Sequence, residues 1–259
     1  MRRWLLLGLV LALGCTVTDV ASGGANAARV PTGTDLGLRI SSLNDDRVPA
    51  PSWRNGTYVA RVLIATSVKA RPAGKRAVWF ARPEAKWSGS AQKLMVLRSA
   101  VVNGRTWLKV KLPIRPNVAS GWISRDRVRL SRSPHYILVD RSRRLVRAYR
   151  NGKVVGRFKI VVGEPATPTP VGLFALYERV RQPDPKGFIG PWAVHLTAHS
   201  DVLKSYDGGP GRIAFHGRDG ASLADRLGTA SSRGCMRMNN RLISWIKAMP
   251  MGTAVRVVG

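Results

Sequence analysis

Arg144-Leu145-Val146-Arg147-Ala148-Tyr149-Arg150-Asn151-Gly152-Lys153-Val154-Val155-Gly156-Arg157-Phe158-Lys159-Ile160-Val161-Val162 places Asn-Gly between two runs that alternate or stay apolar. Asn and Gly tolerate the positive φ that a two-residue turn between twisted strands demands, so the stretch predicts a β-hairpin. Outward from it the pattern persists. Tyr136-Ile137-Leu138-Val139-Asp140 precedes it, and Gly172-Leu173-Phe174-Ala175-Leu176, Trp192-Ala193-Val194-His195-Leu196 and Arg212-Ile213-Ala214-Phe215-His216 follow as further strands. Helical spacing emerges near the C-terminus, where Leu242, Ile243, Ile246 and Met249 fall on one side of a helix starting near Asn239-Asn240. Pro250 and Gly252 stop it, and Thr253–Val258 reads as a closing strand.

Upstream the chain is also β-rich. Residues 28–55 are rich in Pro, Ser, Asn and Asp and read as a linker. From Thr57 to about Leu130, short strands such as Tyr58–Ile64, Leu94–Leu97 and Trp107–Val110 are separated by turn residues, with Asn103-Gly104 a second hairpin turn. Trp53, Trp79, Trp87 and Trp107 are expected to fill a small barrel there. With Gly121-Trp122-Ile123 leading to Arg127-Val128-Arg129-Leu130, residues 56–132 resemble the bacterial Src-homology-3-like barrels found beside cell-wall enzymes. Such a barrel either packs on its neighbour as a spacer or binds the wall. The fold expected is therefore mainly β, a small barrel followed by a β-rich domain over 134–259 with a short C-terminal helix.

The chain has 259 residues, 44% hydrophobic and 22% charged, which suits a globular protein with real cores. Its formal net charge of +29 is spread through both halves rather than gathered in a tail. Such a field favours anionic neighbours, whether wall polymers or a membrane surface, and without a nucleic-acid-binding motif it gives no specific nucleic-acid partner. Met1-Arg2-Arg3-Trp4, the apolar run Leu5–Leu13 and the Ala25-Asn26-Ala27 site lay out a secretory signal over residues 1–27. Gly14-Cys15 also stands where a bacterial lipoprotein would be lipidated, although Ala12-Leu13 departs from the usual order, so lipidation at Cys15 stays open. Export to the cell envelope or a periplasm-like space is expected either way. Cys235 is then the one thiol of the folded part, excluding a structural disulfide within it. A lone thiol in an oxidising compartment is either buried or used.

Three motifs favour use. Gly163-Glu164-Pro165-Ala166-Thr167-Pro168-Thr169-Pro170-Val171-Gly172-Leu173-Phe174, then Phe215-His216-Gly217, then Ser231-Ser232-Arg233-Gly234-Cys235-Met236-Arg237 resemble in order the G…T-P-x-G-x-F stretch, the His-Gly pair and the [ST]-x-G-C-x-[RN] segment of YkuD-type L,D-transpeptidase catalytic domains. The resemblance runs from His135 to the C-terminus. Many members carry His where this chain has Arg233, which bears on substrate contacts rather than on the thiol chemistry.

The residue types suit acyl transfer. A thiol has a pKa near ~8.5 and is mostly protonated at pH 7, so it needs a base, and an imidazole within reach can take the proton and later return it. The resemblance implies Cys235 as nucleophile, His216 as base and the Gly217 carbonyl as the group that orients the imidazole. Amides of Gly234 and Cys235 could supply an oxyanion hole. Ser232, Arg233, Gly234 and Arg237 are the expected substrate contacts, with Arg237 either gripping a carboxylate or pairing with a neighbouring acid. His195 and His199 read as structural, and His135 as a linker residue. No cofactor is implied, and the absence of metal-ligand spacing disfavours a zinc peptidase. The implied reaction joins peptidoglycan stem peptides by 3→3 cross-links through a thioester, with carbapenem β-lactams as inhibitors. Water as acceptor would make an L,D-carboxypeptidase, and a non-catalytic wall-binding protein is the alternative from another class.

Overall fold

The computed structural model describes residues 47–259. The signal segment, Cys15 and the first part of the expected linker lie outside the described residues. Strands β1 (Thr57–Val62), β2 (Thr66–Lys69), β3 (Ala77–Ala81), β4 (Lys93–Val102), β5 (Arg105–Lys111), β6 (Ser120–Ser124) and β7 (Val128–Ser133) form a seven-stranded sheet in the order β3-β2-β6-β5-β4-β1-β7. Asn103 and Gly104 both take positive φ between β4 and β5, as the hairpin reading requires. Val62, Leu94, Val96, Leu108, Val110 and Ile123 close up as its core.

A second, eight-stranded sheet carries the rest. Its strands are β8 (His135–Asp140), β9 (Leu145–Arg150), β10 (Lys153–Lys159), β12 (Gly172–Arg181), β13 (Trp192–His199), β14 (Arg212–His216), β16 (Met236–Arg237) and β17 (Ala254–Val258), in the order β10-β9-β8-β17-β12-β13-β14-β16. A short parallel pair, β11 (Val162–Gly163) with β15 (Ala230–Ser232), lies apart from it. Asn151-Gly152 makes the turn between β9 and β10. The closing strand β17 inserts between β8 and β12, parallel to the first and antiparallel to the second. His135, expected in a linker, is the first residue of β8. The helix α1 runs over Asn240–Ala248 with the Asn239 side chain accepting from the Leu242 amide at 2.8 Å, an N-cap that satisfies one of the free amides of the first turn. Its Ile243 and Ile246 pack among Phe215, Leu196, Leu176 and Phe174, each such side chain contributing about 1.5–3 kcal/mol by burial.

The two sheets belong to one compact unit. Thr57 Oγ1 accepts from the Ala254 amide at 2.9 Å, Ser133 and Thr253 share a hydroxyl contact at 2.8 Å, and Met95 is buried with Tyr136, Ala175 and Ala254. Residues 47–55, read as linker, are also docked: the Val48 amide donates to Ser99 Oγ and Trp53 packs on Tyr149 of β9. Between β5 and β6, Arg115 donates to the carbonyls of Ser200, Leu203 and Pro210, while Asn117 bonds both the amide and the carbonyl of His199. The first sheet thereby grips the loop joining β13 to β14. Of the four tryptophans expected to fill the small barrel, Trp53 and Trp87 do not; each is about 40% exposed and turned toward the second sheet, Trp87 against His195.

Candidate active site

Strand register assembles the site. Across β13 and β14, Ala193 faces His216 and His195 faces Ala214; across β14 and β16, Phe215 faces Met236 and His216 faces Arg237. Because side chains alternate along a strand, Val194, Phe215 and Met236 point together into the core. Ala193, His195, Ala214, His216 and Arg237 share the other face, which lines a cavity of about 590 Å³. Cys235, immediately before β16, lines the same cavity. The His-Gly and Gly-Cys motifs, 18 positions apart in the chain, are thus brought to one wall by a two-strand parallel pairing.

The His216 imidazole donates from Nδ1 to the Gly217 carbonyl at 2.6 Å, which leaves Nε2 as the basic nitrogen. Gly217 leaves little room for a side chain. A Cβ there would collide with the Asn240 side-chain oxygen, which sits beneath the turn and accepts from the Arg218 amide. His216 is 5% exposed, and burial pushes its pKa down to about 4; the positive charge of Arg237 adds to this, and hydrogen bonds to the Gly217 and Ile189 backbone only partly offset it. Burial also raises the Cys235 thiol, against a lowering hydrogen bond from the Ala214 backbone. Both groups therefore rest neutral at pH 7. The thiol is in weak contact with the Arg212 carbonyl, Sγ to oxygen 3.9 Å.

The loop that carries the thiol is braced by two buried hydroxyls. Ser232 Oγ donates to the Cys235 carbonyl at 2.6 Å and accepts from the Gly234 amide at 3.2 Å. Thr169, fully buried, donates to the Gly234 carbonyl at 2.8 Å and accepts from the Gly163 amide at 2.9 Å. Gly234 itself takes φ +112°, a conformation closed to ordinary side chains. These bonds alter two expectations. Ser232 is buried, with its hydroxyl engaged by the loop rather than turned to the cavity, and the Gly234 amide is already bonded, leaving the Cys235 amide as the candidate oxyanion donor. Gly234 and Gly217 support the site from behind and do not line it.

Arg237 lines the cavity but is ion-paired with Asp225, and its guanidinium lies 4.6 Å from the centre of the Phe188 ring. Arg233 is exposed at the rim, over Tyr206 at 5.8 Å. His199 is buried away from the cavity. His195 faces into it, with a pKa lowered to about 4 by burial, by the neighbouring charge of Arg212, and by the repulsion that a protonated His216 would add. Sequence reasoning missed Trp87 and Arg212. Trp87 packs on His195 with ring centres 5.0 Å apart, and Arg212 lies 5.0 Å from the rings of both Trp87 and Tyr177. Trp87 is held by Glu178, a fully buried β12 carboxylate that accepts from the Trp87 amide at 2.7 Å and the Ser88 amide at 2.5 Å. Only the polar residue opening the apolar run Arg212–His216 hinted at any of this. No three His, Cys, Asp or Glu side chains cluster as metal ligands among the described residues.

A buried imidazole tied to a carbonyl and a thiol on the same cavity wall define a site suited to cysteine-based acyl transfer. Residues 134–257 match the family model of the L,D-transpeptidase catalytic domain, YkuD. The chain is 29% identical to an L,D-transpeptidase YkuD of Bacillus licheniformis over 169 residues, 62% of this chain and 92% of that protein. It is 29% identical to the protein of the same name in Bacillus subtilis over 125 residues, 48% of this chain and 66% of that protein, just under two thirds of its length. Among solved structures it is similar to an L,D-transpeptidase from Mycobacterium tuberculosis H37Rv, at 17% identity and TM-score 0.40 over 67% of this chain and 75% of that one. It is also similar to the catalytic domain of the E. faecium enzyme, at 22% identity and TM-score 0.36 over 48% of this chain and 95% of that one.

Proposed function

We propose that the protein is an exported L,D-transpeptidase that forms 3→3 cross-links between peptidoglycan stem peptides, with residues 56–132 a Src-homology-3-like barrel joined to the catalytic domain. The observation that carries the reading is the single cavity lined by both Cys235 and a His216 whose Nδ1 is fixed on the Gly217 carbonyl. With Nδ1 donating, Nε2 takes the thiol proton as Sγ attacks the carbonyl carbon of the diamino-acid residue in a tetrapeptide stem. The oxyanion is met by the Cys235 amide. Collapse breaks the C–N bond, the Nε2 proton passes to the departing D-alanine amine, and a thioester remains. The side-chain amine of a second stem attacks that thioester, loses its proton to Nε2, and displaces Sγ, which recovers the proton. The neutral resting pair suits this sequence, since charge is separated only once a substrate carbonyl is in place. Arg233 at the rim is the better-placed guanidinium for a substrate carboxylate, because Arg237 is already paired with Asp225.

Incubation with a disaccharide-tetrapeptide, followed by mass spectrometry, tests the reading: D-alanine release with dimers linked through two diamino acids is expected. A carbapenem, whose strained amide mimics the scissile bond, should add once, at Cys235. Release of D-alanine without dimers would make the enzyme an L,D-carboxypeptidase, and neither product with an adduct elsewhere would overturn the thiol assignment.

A further inference from the structure

Beside the cavity holding Cys235 lies a second groove of about 580 Å³, and the two share Trp87 and Arg212 on their walls. The cleft therefore continues from the thiol across Trp87 onto the junction of the two sheets. From the first sheet the groove takes Trp79 and Phe80 on the edge strand β3, with Arg82, Glu84 and Gln92; from the second it takes Tyr177 and Glu178 of β12. Phe80 is 50% exposed and Trp87 42%, so neither ring is placed there to fill a core. Glu178 explains the position of Trp87. A fully buried carboxylate is costly, and this one bonds two consecutive amides of the loop that carries the ring. The indole is thereby fixed at the border of the two cavities.

The chemistry of the lining narrows the occupant. The chain as a whole carries +29, yet the groove sets Arg82, Lys86 and Arg212 against Glu84 and Glu178, close to balance. The groove is therefore not a concentrated basic patch of the kind a polyanion would select. Aromatic faces, which carry negative charge density, among both donors and acceptors suit a ligand with polarised C–H faces and a rim of hydroxyls, each able to donate and accept. We propose that this groove is a saccharide subsite that holds the glycan strand bearing the stem peptide while the stem reaches Cys235. The inference rests on the transpeptidase reading given above and deepens it by assigning the sugar part of the substrate to the seam between the sheets.

The test compares KM for D-alanine release from the disaccharide-tetrapeptide and from the same tetrapeptide without sugars, in the wild type and in Phe80→Ala, alongside titration of the Cys235→Ser protein with tri-N-acetylchitotriose followed by tryptophan fluorescence. The sugar-bearing substrate should show a KM at least tenfold lower, Phe80→Ala should bring the two values together, and chitotriose should shift the fluorescence saturably. Equal KM values in the wild type overturn the proposal, as does a Phe80→Ala effect of the same size on both substrates, which would make the groove a peptide subsite. If neither substrate turns over, the transpeptidase reading falls, while chitotriose binding, which needs no turnover, still decides the groove.

Discussion

The pH dependence of acylation offers the sharpest test of the neutral thiol–imidazole pair. An imidazole with its ordinary pKa near ~6.5 would be only about 9% neutral at pH 5.5, and a general-base reaction would lose roughly tenfold between pH 7.5 and 5.5. His216, with its pKa pushed down to about 4, stays roughly 97% neutral at pH 5.5. The acylation rate should therefore be nearly flat from pH 7.5 to 5.5 and begin to fall only as pH approaches 4.5. The assay is single-turnover acylation by a carbapenem, followed by absorbance loss and checked by intact mass, with far-UV circular dichroism at each pH to show that the fold persists. His216→Ala is the companion: loss of a general base costs ~10²–10⁴-fold at neutral pH and should be partly recovered at high pH as solvent generates thiolate. A tenfold loss between pH 7.5 and 5.5 in a folded wild-type protein would refute the buried neutral base. A His216→Ala variant acylated at the wild-type rate at pH 7 would remove His216 from the mechanism and point to His195, which lines the same cavity.

Other perturbations read the scaffold. Thr169→Val keeps the shape but leaves the Gly163 amide and the Gly234 carbonyl unpaired; at about 1–3 kcal/mol for each buried orphan, urea unfolding should show a loss of about 2–6 kcal/mol, and acylation should fall more than tenfold as the thiol loop loosens. Glu178→Ala removes two amide–carboxylate bonds and should cost about 2–3 kcal/mol, with a weakened near-UV signal from Trp87; wild-type stability would count against the anchor. Stability should also fall on acidification. His199 and His216 have folded pKa values of about 4, below the unfolded ~6.5, so the unfolded chain binds more protons in that window. Their contribution is complete above pH 6.5 and is lost as pH falls toward 4. By pH 5 each should have cost about 1–2 kcal/mol, seen as a lower melting temperature than at pH 7; an unchanged melting temperature would show that they titrate normally.

What could be read in advance follows from the range over which each feature is encoded. Asn103-Gly104 and Asn151-Gly152 declare themselves because a tight hairpin turn is a local demand on φ. The C-terminal helix is legible from the spacing of Ile243 and Ile246 and from the Asn239 cap. His216 and Cys235 come from motifs whose chemistry needs those residue types. The insertion of β17 between β8 and β12, by contrast, has no local mark, its pairing with β8 reaching across more than a hundred residues. Trp87 reads as one more barrel aromatic because the carboxylate that redirects it, Glu178, lies 91 positions away. Ser232 reads as a substrate contact because a hydroxyl beside a nucleophile carries no sign of which way it faces. Its two bonds to the Gly234–Cys235 backbone turn it inward.

The placement of the thiol raises a further point. β16 is two residues long, too short to define its own register, and a slip by one residue would send Cys235 into the core and Met236 into the cavity. The register is imposed by neighbours. Arg237 exchanges both backbone bonds with Val161, at 3.0 and 2.9 Å, and the Met238 amide donates to the His216 carbonyl at 3.0 Å. Thr169 then fixes the preceding glycine. The Thr-Pro-x-Gly stretch and the Gly-Cys segment are thus one mechanical unit, and this gives the first motif a physical purpose although none of its residues lines the cavity. The same enclosure keeps the thiol protonated, since burial raises it and the neutral His216 lends no positive charge to pull the proton off. For the exported setting proposed above, that is an advantage. Thiolates rather than thiols are oxidised, so a thiol that, in the mechanism proposed above, ionises only as a carbonyl arrives would be protected in the interval between turnovers.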